Sequence, residues 1–499
     1  MAACRKLRAF KRWMKYQGMD CSDSLDLVLH PFPGTDSPAA FSVSVRALRD
    51  LDEGDVVARI PKHSCLTIKN SGARHLIEDA GLDGFLGLAV AVMYERSLGP
   101  QSPWFDYLQL MPFYEPIPLL WSDDEIDSLL AGTELHKTIK EDKVLIFEDW
   151  KECIEPLLIS APVELNQQFF GVEHYFASRS LIASRSFQID DFHGSGMVPL
   201  ADLFNHKTGA EDVHFTSLVQ HESDQSGESD LEDEGCDNLM NDELSSQKPV
   251  SGNESNSTAE FECSTSSDDL TILEMIMVKD VMAKNEVFNT YGSLGNAALL
   301  HRYGFAETNN PFDIVNIDLE LVEEWSSFLY SRRYSRRRLS LWRRLDCSAG
   351  VGQDPEYFEI SFHGEPQVEL LVLLYIMLLP EEDYNKLDLA ISSTNNAHTS
   401  VILSLSGKVN VDVSKNLELS RDFLLTKGVC TGLLSLADIR EGLYGPSTLE
   451  DDIEALKQCC NIKEPKLYHS LVLRISERSI LQKLRSYAIT AAESLKSRS

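Results

Sequence analysis

MVPLADLFNH, residues 197–206, ends an apolar run on Asp202, Asn205 and His206, three polar side chains in five positions. Burying such groups is unfavourable unless each finds a partner. The run reads as a buried strand or helix edge, so the partner is either neighbouring chain or a ligand. A second unusual stretch, EVFNTYGSLGNAALLHRYGFAE (286–307), carries two Tyr-Gly pairs, Tyr291-Gly292 and Tyr303-Gly304, around a segment of helical period, with Phe305 following. One Tyr-Gly pair says little, because glycine admits φ > 0 and tyrosine is a common core residue. The two stretches in this order are far more specific.

The surrounding chain sets limits on the answer. It has 499 residues, 43 % apolar and 25 % charged, which suits a soluble protein of two or three domains. The longest apolar run, LLVLLYIMLLP (370–380), is well short of the roughly 20 residues that span a bilayer, and reads as a buried helix. The N-terminal MAACRKLRAFKRWMKYQGMD is basic without an apolar core; Phe10, Trp13 and Met14 fall at helical spacing, so an amphipathic first helix is expected. Ten scattered cysteines, with no CxxC and only Cys459–Cys460 adjacent, point to a reducing compartment without a disulfide framework or structural zinc. The formal charge of −32 disfavours nonspecific nucleic-acid binding and leans towards basic protein partners.

Much of the acidity lies between His221 and Asp269, which holds 15 acidic residues against one lysine. Such a segment is expected to be disordered. LTILEMIMVKDVMAKNEVFNTYG follows at once and reads as strand, turn, strand, so the acidic loop (about 217–269) is inserted within one domain. Residues 25–68 alternate like short strands between turn signals; about 72–190 is mostly helical, with SPWFDYLQLMP as a Pro-bounded turn region. Beyond about 318 the pattern is helical, and Ser447/Glu450 fits a capping box. The basic SRRYSRRRLSLWRR (331–344) fits a solvated helix face better than a nuclear-import or nucleic-acid patch. The expected domains are an N-terminal helix over 1–24, a β-rich domain over 25–315 and a helical domain over 316–499.

Taken together these residues resemble the SET-domain protein lysine methyltransferases of the branch typified by the Rubisco large-subunit methyltransferase, particularly its ribosomal-protein and nuclear non-histone enzymes. The resemblance also rests on SPWFDYLQLMP with downstream Trp121, LLAGTEL (129–135), SRSF (184–187) and STLEDDIEALKQ…LRISERSIL. It implies an α+β fold: a knotted β-rich SET domain with a helical insert, then a mostly α-helical C-terminal substrate-binding domain. It also implies S-adenosyl-L-methionine as cofactor, held by backbone groups at Phe41, Ser42 and Val43 and by Asn205, His206 and Tyr291, with Tyr291 catalytic. Tyr303 and Phe305 would line a lysine channel, and Trp104, Arg185 and Asp202 would lie on the substrate side. The implied reaction is lysine N-methylation of a non-histone protein, a basic and plausibly ribosomal one, by a monomer in nucleus or cytoplasm, with no membrane or direct nucleic-acid partner. The alternatives are a noncatalytic binding module and a protein-histidine methyltransferase of the same fold. One departure is visible: the family's G-x-G before its RDI-like strand is Ser42-Val43-Ser44 here, which implies either ordinary backbone dihedrals or weaker cofactor binding.

Overall fold

The computed structural model describes residues 2–21, 23–31, 41–161, 165–217, 271–344, 357–393, 421 and 423–498. The acidic segment 221–269 and its expected disorder therefore lie outside the described residues. Packing divides the chain into two compact units: Met1–Glu115 with Ile146–Ser293, and Pro116–Leu145 with Leu294–Ser499.

The first unit is built from small antiparallel sheets. β1 (Leu25–Pro31) pairs with β2 (Phe41–Ala47). β3 (Val56–Pro61), β7 (Val213–Ser217) and β8 (Ile272–Met277) form a second sheet in the order β3-β8-β7; β4 (Leu66–Thr67), β5 (Ser186–Asp190) and β6 (Gly194–Met197) form a third in the order β4-β6-β5. The period-2 alternation of ILEMIM explains β8: Leu273, Met275 and Met277 are buried and their neighbours half-buried. The first helix, Ala2–Tyr16, is amphipathic as its spacing predicts, with Phe10, Trp13 and Met14 buried. Phe10 and Trp13 pack on Tyr107, their rings about parallel in the Trp13–Tyr107 pair. Between β4 and β5 in sequence come mostly helices, among them Gly84–Ser97 and Val172–Arg185, as the 72–190 pattern implies. SPWFDYLQLMP forms a one-turn helix, Phe105–Leu108, within its turns.

Two local readings are corrected. After β8 the chain does not form a second regular strand; it makes isolated bridges, Val281 to Leu51, Glu286 to Arg46 and Asn289 to both His206 and Val213. One stretch of backbone is shared among three neighbours, so no single ladder forms. The capping box is one residue later than Ser447/Glu450: Thr448 caps Asp451, and Asp451 reciprocates, opening Leu449–Gln458. Ser447 instead accepts a hydrogen bond from Arg474.

Among its described residues the second unit is mostly helical, with one antiparallel pair, β9 (Val315–Asp318) and β10 (Tyr357–Ile360), that the helical pattern did not signal. Its core joins Ile317 and Phe358 to Trp325, the apolar helix Val368–Leu378 and residues of the helices Lys427–Gly442 and Pro465–Arg498. Val368–Leu378 is apolar on all sides because it is buried on all sides. No described helix is long and apolar enough to cross a membrane. Arg332–Arg344 is a helix whose Arg338, Leu339, Leu341 and Trp342 are buried and whose remaining arginines are exposed, as the helix-face reading expects.

Candidate active site

The site residues of the first unit converge because two distant segments run side by side. Past β6 the chain turns sharply: Leu200 has φ 76°, and Ala201–Leu203 form a single 3-10 turn. A non-glycine residue with positive φ is a strained position that the surrounding packing must hold. Here Leu200, Ala201 and Phe204 are essentially fully buried and supply that packing. The turn delivers Phe204-Asn205-His206 alongside Asn289-Thr290-Tyr291. The Asn289 amide donates to the Asn205 carbonyl at 2.9 Å. The Tyr291 amide donates to His206 Nδ1 at 3.1 Å. The Tyr291 hydroxyl donates to the Phe204 carbonyl at 3.0 Å. The His206 and Tyr291 rings are stacked, centroids 5.0 Å apart. Since Nδ1 accepts from an amide, the neutral ring carries its proton on Nε2, which faces the Thr208 hydroxyl at 3.2 Å.

The Asn205 side chain is exposed, and its amide donates to Glu286 Oε1 at 2.6 Å. Glu286 bridges in turn to Arg46, and Val287 donates to the Val45 carbonyl, so the same segment that carries Tyr291 also runs along the end of β2. Phe41, Ser42 and Val43 lie at the other end of β2, paired with Pro31, His30 and Leu29 on β1. Phe41 and Val43 are half-buried and Ser42 is exposed. Neither Ser42 nor Ser44 has a positive φ. The first of the two alternatives therefore holds: serine sits in ordinary extended backbone at both positions. Ser44 is 2 % exposed and its hydroxyl meets His30 Nε2 at 2.8 Å. Ser44→Gly should thus cost about 1–2 kcal/mol, from the lost hydrogen bond and glycine's entropy, and Ser42→Gly about 0.5–1 kcal/mol. Neither should tighten binding of S-adenosylhomocysteine. Thermal melting and calorimetric titration of the two variants check this.

Beneath the turn, Asp202 is enclosed. It accepts from the Tyr107 hydroxyl at 3.0 Å and lies 3.4 Å from Arg185 Nη1, which also donates to the Asp202 carbonyl at 2.9 Å. Arg185 Nε reaches Glu115 at 2.6 Å. Asp202 Oδ1 is buried with no hydrogen-bond partner among the described residues. Burial raises the Asp202 carboxyl to about 6 against the opposing pull of Arg185 and Tyr107. The folded state therefore holds this proton more tightly than the unfolded chain, and the associated stability is lost as pH rises from about 4 to about 6. Over that window the wild type should lose stability relative to Asp202→Asn, which does not titrate. Paired melting curves at pH 4.5 and 6.5 measure it.

Arg185, expected on the substrate side, is thus engaged with Glu115 and Asp202 and orients the turn from below. Trp104 is 5 % exposed and donates its indole N–H to the Ser64 carbonyl at 2.8 Å, which places it in the core rather than at a surface. Tyr303 and Phe305 belong to the second unit, half-buried, with ring centroids 6.3 Å apart. Between them Gly304 ends the helix Asn296–Tyr303 with φ 78°, and a Cβ there would sit 3.2 Å from the Pro116 carbonyl, so any other residue would be strained. Three residues escaped sequence reasoning: Glu286, Tyr107 and Glu115. The first two lie inside motifs quoted above, but nothing local marks them as partners of Asn205 and Asp202.

No family model matches the chain. Among curated proteins it is similar to ribosomal lysine N-methyltransferase 3 of Saccharomyces cerevisiae, 27 % identical over 56 % of this chain and 60 % of the relative. It is also similar to ribosomal lysine N-methyltransferase 4 of Schizosaccharomyces pombe, 29 % identical over 55 % and 62 %. A third relative is N-lysine methyltransferase setd6 of Salmo salar, 25 % identical over 68 % of each chain. The match spans about three fifths of the length of the two yeast relatives. Among solved structures, the SET domain of LSMT bound to lysine and AdoHcy superposes with a TM-score of 0.65 at 18 % identity, covering 98 % of this chain and 91 % of that one. Rubisco LSMT bound to AdoMet gives 0.62 at 18 %, covering 98 % and 93 %. The fold is α+β and is that of the SET domain with its helical C-terminal region. The chain thus has the fold seen in Rubisco LSMT and is similar in sequence to lysine N-methyltransferases.

Proposed function

We propose that this protein is an S-adenosyl-L-methionine-dependent protein-lysine N-methyltransferase. Its substrate is a non-histone protein, and the names of the two yeast relatives favour a ribosomal one. The observation that carries the reading is the pairing of 204–206 with 289–291, which sets the Tyr291 phenol against the Phe204 carbonyl. The residues present suit the cofactor. The exposed amide of Asn205 and the backbone at the start of β2 offer polar groups for an amino-acid end and an adenine. The serines at 42 and 44 require no unusual dihedral. That removes the physical motive for the noncatalytic alternative.

When bound, the cofactor supplies a methyl group on a sulfonium, to be displaced in line by a nucleophile. The chain's task is to bring a lysine amine to that line, uncharged. Lysine has a reference pKa of about 10.4, so the site must disfavour the ammonium, which desolvation and a neighbouring positive charge both do. The Tyr291 hydroxyl, held by the Phe204 carbonyl, orients the amine and need not act as a strong base. Tyr303 and Phe305 supply aromatic surface suited to alkyl amines and methylammonium products. Arg185, Glu115, Tyr107 and Asp202 fix the turn that presents Asn205 and His206. The proposed domains are a leading helix to residue 24, a SET domain over 25–315 and a substrate-binding domain over 316–499, acting in nucleus or cytoplasm.

The test is transfer of a radiolabelled methyl group to proteins of a cell extract, followed by mass spectrometry of the modified residue. Label on lysine supports the reading; label on histidine selects the other acceptor; no label above that of extract without the added enzyme rejects both.

A further inference from the structure

The helix Arg332–Arg344 carries seven arginines and no acidic residue, in a chain whose formal charge is −32. Its role is not explained by methyl transfer. Arg332, Arg336, Ser340 and Arg344 follow one another at four-residue spacing, with Arg333 and Arg337 alongside, and these six line a groove of about 610 Å³. Tyr384 and Asp388 form its other wall. At 1.5 Å per residue the row is roughly 18 Å long, with Arg332 and Arg336 about 6 Å apart and Arg344 about 12 Å further on, past Ser340. That is a line of positive charge.

The groove is held in shape from behind. Arg338 is 1 % exposed, lies over the rings of Tyr334 and Tyr384 at 4.0 and 4.5 Å, and donates to the Ile376 carbonyl at 2.5 Å. Arg337 pairs with Glu381 at 3.1 Å and Arg344 with Asp388 at 2.5 Å. Arg332, Arg333 and Arg336 are exposed, and none has a carboxylate within ion-pair distance among the described residues. Three unpaired guanidiniums side by side repel one another, an arrangement that an anionic partner relieves. A guanidinium presents a planar fork that fits phosphate oxygens two at a time. At the start of the row, the half-buried Tyr330 and Tyr334 are stacked, centroids 4.3 Å apart. A row of guanidinium forks suits a strand of phosphates better than carboxylates alone, and Tyr330 lies beside its start as aromatic surface for a base, Tyr334 being covered by Arg338 and Tyr330. The chain's overall negative charge opposes nucleic acid at long range. At physiological salt, however, charges beyond roughly 8 Å are screened, so a local positive row acts largely by itself.

We propose that this groove binds the phosphate backbone of single-stranded RNA. The proposal is independent of the methyltransferase reading. It is tested with the full-length protein and a fluorescein-labelled 15-nucleotide single-stranded RNA of mixed sequence, by anisotropy at 50 and 150 mM KCl. With about three phosphates engaged, the salt slope is about −2, so affinity should fall roughly tenfold across that range. The variant R332E/R333E/R336E should bind at least about tenfold more weakly at 50 mM KCl, with unchanged circular dichroism. Should charge reversal impair folding, R332Q/R333Q/R336Q reads the same effect more mildly. The lysine variant R332K/R333K/R336K should keep most of the affinity, since it keeps the charge. Absence of RNA binding by the wild type, or equal binding by the glutamine variant, overturns the proposal. So does displacement of the RNA by a polyglutamate peptide of equal length at lower concentration than unlabelled RNA, which would assign the groove to an acidic protein segment.

Discussion

Tyr291→Phe is expected to lower kcat for protein methylation about a hundredfold while changing the KM for S-adenosylmethionine little. The hydroxyl is the only part removed. Its hydroxyl donates to the Phe204 carbonyl at 3.0 Å, and its oxygen keeps lone pairs that can accept an N–H from an incoming amine. An in-line displacement is sensitive to direction: a misplacement of about 1 Å can cost a factor of order 10². Phenylalanine keeps the ring stacked on His206 and the backbone N–H that His206 Nδ1 accepts, so the local frame stays in place. The stability change should be about 1 kcal/mol, that of one hydrogen bond, and should move the melting temperature by only a few degrees. Steady-state kinetics on the labelled extract or on an identified substrate separates the two parameters. If kcat is unaltered, the hydroxyl neither orients nor polarises the nucleophile, and the role of Tyr291 falls even if the enzyme is active.

Parts of this site are legible in sequence because they are local. NH at 205–206 and YG at 291–292 are short and contiguous, and the polar pair at 205–206 stands out against the apolar run before it. The alternation that defines β8 and the spacing that defines the first helix are likewise read within one element. What escaped reading depends on residues far apart in the chain. Arg185 meets Glu115 at a separation of 70 residues, and Tyr107 meets Asp202 at 95. No local pattern records such pairs, so Arg185 reads as a free substrate ligand until its partners are seen. The β9–β10 pair was hidden because each strand is four residues long and lies next to strong helical patterns. Thr448 displaced Ser447 as the cap for a different reason: adjacent hydroxyls followed by EDD satisfy two registers, and only the helix start chooses between them.

Arg440→Ala should destabilise the protein by about 3–5 kcal/mol, the usual loss when one member of a buried ion pair is removed. Arg440 is 4 % exposed, and every side of its guanidinium is engaged. It donates to the carbonyls of Asn316 at 3.0 Å and Gly132 at 2.5 Å, pairs with Glu134 at 3.0 Å, and lies 3.5 Å from Glu477. Removing it leaves the Glu134 carboxylate, the Glu477 carboxyl and two carbonyls without this donor. Glu477 is 1 % exposed, accepts from the Tyr444 hydroxyl, and has its carboxyl raised to about 8, by burial first and by Glu134 second, with Arg440 opposing. Because the folded pKa lies above the unfolded one, stability belonging to Glu477 is present in full near pH 4.5 and is lost as pH climbs towards 8. Glu477→Gln does not titrate, so the wild type should fall relative to it across that window. Arg440→Ala strips away the group that favours the carboxylate, which raises the Glu477 pKa further and carries the decline to higher pH. Urea denaturation at pH 6 and pH 8.5, followed by circular dichroism, measures both effects. A loss below about 1 kcal/mol in Arg440→Ala would mean that water reaches Glu134 and Glu477 once the guanidinium is gone, and that the network is not the closed one the geometry describes.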